Sequence, residues 1–406
     1  MRLDIGWLDV LSGLVYCFAP RKRLPVVEQA RHSWSRDENF LITLSVRSAF
    51  DLTLRALQLP AKSEVVLSAL TVPDMARIVQ MHGLTPVPAD VDELGNITAV
   101  ALERAISSQT RMVVIAHLFG GCVPLGDVLE TARQHGLLVV EDCAQSFQRV
   151  GDSGHPASEV SMFSFGPIKT ASALGGAVVR VRSPELLERM TELLEKDPVQ
   201  SRLSFARRII RLATLKLLFG RRAAAMSRFC AECFGCNFDS LANSAARGFG
   251  TADLLVQLRR QPSTPLLRLL ERRWRSYDFG RLERRMQMGR YLDSRIGLIH
   301  AASHSYWVYP LFASDPIAMR DALRVAGYDA TCRTRMAVVP APDESRLPTL
   351  ALDNWQHVVF LPWYPEMSDE AVDVMASVIQ SVGMNRLTDW PNDRLTVAVA
   401  HAPSGT

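Results

Sequence analysis

This chain reads as an α/β protein, with a large domain built on a mostly parallel central sheet and a smaller α/β domain at the C-terminal end. Two patterns predict it. Between about Leu41 and Arg180, short apolar runs of strand length alternate with helical stretches. The alternation returns from Tyr306 onward, after a long helical interval without a strand signal. Such alternation covers a sheet on both faces and leaves the strand C-terminal ends as the usual ligand edge.

In order, residues 64–67, 112–116, 137–141 and 177–180 are β-branched, apolar and of strand length. Residues 48–59, 74–82, 98–108 and 125–136 have helical spacing. Helical, arginine-rich sequence then runs from about Ser183 to Asp293. The second α/β stretch predicts strands over 306–312 and 358–361 and helices over 315–327 and 369–382. Residues 386–406 lack periodicity and are expected as a tail, and residues 1–40 as an N-terminal segment with a surface contact.

Composition narrows the function classes. A net charge of +4 over 406 residues is too small to imply a nucleic-acid partner. Seven cysteines, an odd number in a long chain, do not form a disulfide framework. No apolar run approaches the roughly 18 residues that cross a bilayer. The apolar patch over 7–19 is interrupted by Asp9 and followed, not preceded, by Arg21-Lys22-Arg23, unlike a secretory signal. A cytoplasmic protein is expected.

Only five of the 46 cations are lysines, so arginine is the default cation here. Lys169 alone interrupts residues 63–195, in a loop that follows an aromatic strand and precedes Gly175-Gly176. It is either a solvated loop cation or a desolvated amine for Schiff-base chemistry. Asp142 ends a buried strand, where it could cap the next helix or hold a protonated pyridine nitrogen; Gln145 follows three residues on. The strand-to-helix turn at Thr43–Phe50, with Arg47 and Ser48, suits a phosphate.

These segments occur in an order that resembles the DegT/DnrJ/StrS sugar aminotransferases, fold-type-I enzymes dependent on pyridoxal 5′-phosphate. The resemblance rests on the Ser45-x-x-x-Ala49 turn, Pro88-Ala89-Asp90-Val91-Asp92 with Asn96-Ile97, and Ala116-His117-Leu118-Phe119-Gly120. It continues through Glu141-Asp142-Cys143-Ala144-Gln145, Phe163-Ser164-Phe165-x-x-x-Lys169, Gly175-Gly176 and the closing run from Phe360 to Glu370. It implies Lys169 as the catalytic Schiff-base lysine, Asp142 beside the pyridine nitrogen and Gln145 beside the ring oxygen. It also implies Ser164, Arg47 and Ser48 at the phosphate. Asn243 would reach the phosphate of a neighbouring subunit, making a homodimer with shared sites. The implied reaction moves an amino group, from glutamate, to a keto or aldehyde carbon of a sugar-type acceptor, with no metal. The domains implied are 41–245, cofactor-binding and carrying a basic helical insert at about 196–240, and 246–385, the smaller domain.

Departures from the family pattern touch the phosphate turn and, more heavily, the substrate side. Ser45-Val46-Arg47 stands for the usual Ser-Gly-Thr, Leu70-Thr71-Val72 offers only aliphatic cover, and Cys332-Arg333-Thr334-Arg335 replaces the usual substrate loop. Residues 202–228 carry eight cations and no acid, and residues 259–290 ten arginines against three acids. On a helical wheel Arg207, Arg208 and Arg211 oppose Phe205, Ile209 and Leu212. This is either a solvated or partner-packed face, or a basic amphipathic surface for anionic membrane, which would suit a lipid-linked acceptor, with a soluble nucleotide sugar as the alternative. Cys230, Cys233 and Cys236 have metal-like spacing but no evident fourth ligand.

Overall fold

The computed structural model describes residues 3–37, 39–218, 253–298, 300, 303–332 and 336–383. Helices α1 (Trp7–Phe18) and α2 (Arg23–Trp34) precede β1 (Phe40–Thr43) and α3 (Val46–Leu57). The large body then runs β2 (Glu64–Ser68), β3 (Leu70–Thr71), α4 (Pro73–Met81), β4 (Thr85–Ala89), α5 (Ala99–Ala105) and β5 (Thr110–Ala116). It continues with α6 (Gly126–Gln134), β6 (Leu138–Asp142), β7 (Val160–Ser164) and β8 (Ala177–Val181).

Seven of these strands form one sheet in the order β1-β8-β7-β6-β5-β2-β4. The five strands from β4 to β7 are mutually parallel, while β8 runs antiparallel to β7 and to β1. The β-branched and apolar residues alternate between faces, as the strand period requires. Val65, Leu67, Met112, Val114 and Met162 face α3 and α4, whereas Val66, Val113 and Ile115 pack with residues of α5 and α6. The strand at 85–89 is hidden in the sequence by Pro86 and Pro88; it lies at the sheet edge, where proline is tolerated.

Beyond β8 come α7 (Pro184–Lys196), α8 (Arg202–Leu218), α9 (Leu254–Leu258), α10 (Thr264–Ser276) and α11 (Phe279–Ile296). Residues 3–34 do not lie loosely on a surface. Val10, Cys17, Val26, Ala30 and Trp34 are buried in a core shared with α8 and α10, centred on an aromatic cluster of Trp34, Phe147, Phe163, Phe165 and Trp274. Helix α11 joins the two bodies, because Leu282 packs in that core while Met288, Leu292 and Ile296 belong to the C-terminal one.

The smaller body contains β9 (Tyr309–Phe312), α12 (Pro316–Val325), β10 (Thr331–Cys332), β11 (Ala337–Val338), α13 (Thr349–His357), β12 (Val358–Leu361) and α14 (Asp369–Val382). Strands β10, β12 and β9 form an antiparallel sheet, and β11 crosses back to pair with β3. The strand expected over 306–312 starts only at Tyr309, since Tyr306 sits at φ 47° with its hydroxyl donated to Asp293.

The basic segments also differ from expectation. Phe205, Ile209 and Leu212 of α8 are buried in the core, so that apolar face is not available to lipid. In α10 and α11 the arginines meet acids distant in sequence: Arg272 and Arg273 bind Asp9 (both 2.7 Å), Arg281 binds Glu366 (2.6 Å) and Arg284 binds Asp369 (2.7 Å). In the second basic run Arg273 and Arg285 are therefore internal, while Arg281 and Arg284 pair with acids at the surface.

Candidate active site

The site forms where β6 and β7 end. Asp142 is the last residue of β6 and Ser164 the last of β7, so both side chains stand at the C-terminal edge of the sheet. From Ser164 the chain turns through Gly166-Pro167-Ile168, closed by Lys169 N donating to Gly166 O at 3.0 Å. Lys169 Nζ then lies over the Trp307 ring, 4.0 Å from its centroid, and Trp307 Nε1 donates to Ile168 O at 3.0 Å, fixing ring and loop together. Desolvation pushes the Lys169 amine down to about 8, against the field of Asp142 and with that of Arg47. Burial raises the Asp142 carboxyl above its ordinary range, opposed by the Ala144 N–H (3.0 Å) and the charges of Lys169, His117 and Arg47. An amine eased toward neutrality, a desolvated carboxylate and a guanidinium thus share one pocket.

Gln145 is buried beside it. Its Oε1 accepts from Phe119 N at 2.8 Å, and its Nε2 faces Met336 Sδ at 3.8 Å, a weak acceptor that a better one could displace. Below Asp142, His117 Nδ1 accepts from Val123 N (3.0 Å), so Nε2 carries the proton and donates to Glu141 (2.9 Å). His117, Glu141 and Cys143 lie close enough to suggest an ion. With both imidazole nitrogens engaged and burial pushing the Cys143 thiol well up, they form a hydrogen-bonded wall and not a donor set. Cys230, Cys233, Cys236 and Asn243 lie outside the described residues.

At the turn into α3, Ser45 Oγ caps the helix by accepting from Ser48 N, and it also bonds the Ser48 hydroxyl at 3.0 Å. Ser45 is thus the cap, with the Ser48 hydroxyl beside it. Arg47 reaches sideways to pair with Asp74 on α4. Sequence reasoning passed over two groups here. One is His117, which stood in the Ala116–Gly120 motif without being given a role. The other is the guanidinium of Arg208, which the helical wheel assigned to an exposed stripe. Arg208 Nε is buried without a hydrogen-bond partner among the described residues, and burial, with Arg211 and Arg47 nearby, pushes the group down to about 10. A cleft of about 620 Å³ opens beside Lys169, walled by Trp307, Trp363, Tyr364, Arg281 and Glu366.

With this geometry in place, comparison with known proteins is direct. The model of the DegT/DnrJ/EryC1/StrS aminotransferase family matches residues 26–237, and the chain belongs to that family. It is 34% identical over 148 residues to the UDP-N-acetyl-3-dehydro-alpha-D-glucosamine 3-aminotransferase of Acidithiobacillus ferrooxidans, covering 35% of this chain and 39% of that one. It is 32% identical over 202 residues to the dTDP-3-amino-3,4,6-trideoxy-alpha-D-glucose transaminase of Streptomyces venezuelae, covering 45% and 52%. The matched regions therefore span about 39–52% of these relatives' lengths. The aminotransferase TlmJ of Streptoalloteichus hindustanus superposes with a TM-score of 0.64 at 19% identity, over 93% of this chain and 96% of that one. The fold is that of the fold-type-I pyridoxal-phosphate-dependent transferases.

Proposed function

We propose that this chain is a pyridoxal-phosphate-dependent aminotransferase that moves an amino group, from glutamate, to a carbonyl carbon of a sugar-type acceptor. The observation that carries the reading is the Lys169 amine, pushed down to about 8 in a pocket shared with Asp142 and Arg47. The residues fit the cofactor: a buried carboxylate for its pyridine nitrogen, an amide for its ring oxygen, and an unsatisfied guanidinium near a helix N-terminus for its phosphate. When bound, that cofactor supplies an electron sink for the carbon carrying the amine.

The chain's own residues do the rest. Asp142 keeps a proton on the pyridine nitrogen, and Gln145 holds the ring oxygen. Lys169 Nζ would hold the cofactor between turnovers and, when free of it, would serve as the base that removes the proton from the donor carbon in one half-reaction and as the acid that delivers a proton to the acceptor carbon in the other. Trp307 covers the amine and excludes water. Trp363, Tyr364, Arg281 and Glu366 offer aromatic faces and polar groups to a sugar ring. Because Arg272, Arg273, Arg281 and Arg284 are paired with acids of this chain, we favour a nucleotide-sugar acceptor, of the kind named in the two relatives, over a lipid-linked one.

We further propose a homodimer in which Asn243 faces the partner's phosphate. Any contact with anionic membrane we place on α1, where Leu8, Leu11, Val15 and Phe18 are exposed ahead of Arg21 and Lys22. No helix among the described residues is long and apolar enough to cross a membrane.

The test is spectroscopic. Purified protein supplied with cofactor should absorb in the visible, borohydride should fix the cofactor on Lys169 in a peptide map, and glutamate should bleach the visible band. A scaffold that merely keeps the fold would show no response to glutamate. Co-sedimentation with anionic vesicles, compared with a variant in which Leu8, Leu11 and Phe18 are serine, decides the surface assignment.

A further inference from the structure

Arg208 is half-buried, and its Nε is a sealed cationic N–H that the described residues leave unanswered. It projects from α8, and its guanidinium carbon lies 3.8 Å from where a Gly175 side chain would begin, so the glycine leaves it room. Gly175 N donates to Phe165 O, just past Ser164, and Gly176 N donates to Leu44 O, just before Ser45. Arg208 is therefore wedged between the two turns that carry Ser164 and the α3 N-terminus. Its field reaches Arg47, whose field in turn reaches Lys169 and Asp142. Its Nε is sealed from solvent with no acceptor, and the neighbouring charges felt there, Arg47 and Arg211, are also positive.

A guanidinium N–H sealed from water is destabilising unless an acceptor answers it. The first-turn amides of α3 point the same way, since no helix carbonyl reaches them. A dianion placed there would meet a helix N-terminus, the Ser164 hydroxyl and the guanidinium fork together.

We propose that Arg208, contributed by the same chain through α8, is a principal ligand of the cofactor's phosphate, doing the work that Arg47 cannot do while paired with Asp74. This rests on the cofactor reading above. It also explains a basic residue on the core side of an otherwise apolar face: α8 is in part a lid of the phosphate pocket, tied into the core by Phe205, Ile209 and Leu212.

The test compares pyridoxal 5′-phosphate with pyridoxal, which lacks the phosphate, on cofactor-free full-length protein. Arg208→Met should weaken pyridoxal 5′-phosphate roughly 10- to 100-fold, the range for a hydrogen bond to a charged group, and leave pyridoxal affinity unchanged. Inorganic phosphate should compete with pyridoxal 5′-phosphate on the wild type and lose that competition in the variant. Arg208→Lys preserves a cation should the methionine variant fail to fold, and it should show the same phosphate-selective loss at smaller size. Equal weakening of both ligands, or none, overturns the proposal and assigns Arg208 to a carboxylate elsewhere in the protein. Wild-type protein that takes up neither ligand overturns the cofactor reading itself, and the Arg208 assignment with it.

Discussion

Replacing Trp307 by alanine sets two opposing effects on Lys169 against each other, and their sizes decide the outcome. The ring face 4.0 Å from Nζ attracts the ammonium form, an effect worth about 0.5–2 kcal/mol, so its loss alone would lower the amine's pKa. The same ring excludes water, and desolvation dominates the fall from 10.5 to about 8, equivalent to about 3 kcal/mol. Desolvation is the larger, so Trp307→Ala should raise the pKa toward that of an ordinary lysine. At pH 7 the depression makes the neutral amine about 300-fold more abundant than on an ordinary lysine, which bounds the loss. The assay is the rate at which cofactor-free protein captures pyridoxal between pH 6 and 10. Wild type should show a midpoint near 8, and the variant a higher midpoint with a similar plateau and a capture rate at pH 7 lower by about 10- to 300-fold. A variant midpoint at or below that of wild type would refute the argument, because the ring would then act as a cation site and not as a shield.

Three other outcomes follow from the same structure. Gly176→Ala places a methyl 2.6 Å from Leu270 Cδ1 at a residue with φ +87°, and should cost about 2–4 kcal/mol in urea denaturation; a loss below about 1 kcal/mol would mean the turn can rearrange. Asp293→Ala leaves the hydroxyls of Tyr306 and Tyr309 and the His300 ring without their shared acceptor, and should destabilise by about 2–3 kcal/mol, with the tyrosine absorbance titrating at lower pH than in wild type. Glu141 is raised by burial, but hydrogen bonds from His117 and the His155 amide help to outweigh that and hold its pKa below the ordinary value. Its stabilisation is therefore complete above the unfolded pKa, about 4.3, and is lost as pH falls through the lower folded one, so Glu141→Gln should flatten the acid limb of the stability curve.

The parts of this molecule that could be read in the sequence are those whose signal is local. Residues 112–116 and 137–141 show strand periodicity in their own letters, and β5 and β6 lie there within one or two residues. Asp142 follows from the rule that strand C-terminal ends carry ligands, Ser164 was implied by the family resemblance, and the fold puts both at that edge. What stayed hidden depends on contacts across the chain. At the start of α3 the letters do not announce that Ser45 Oγ takes the Ser48 amide and also meets the Ser48 hydroxyl. The N-terminal segment looked like a surface element because its apolar and basic letters are separated along the chain. Only the folded arrangement shows Asp9 receiving two arginines more than 260 residues away and drawing α1 into the core.

The arginines make the same point in energetic form. A helical wheel ranks a face by residue type and is blind to what the rest of the chain brings to it. By that measure α8, α10 and α11 were equivalent basic surfaces. Folding separates them, because the cost of a buried charge is set by its counter-charge and not by its neighbours along the helix. Arg273, buried as deeply as any, donates to Asp9, to Ser172 O and to Asp4 O, and so is fully answered from within. Arg285 likewise reaches Ser305 O and Thr170 Oγ1, one residue beyond Lys169, and braces the lysine loop from below. Arg208 has no such answer among the described residues. That contrast, with Gly175 and Gly176 tied to the Ser164 turn and to the residue before Ser45, is the ground on which the cofactor's phosphate is proposed as its counter-charge.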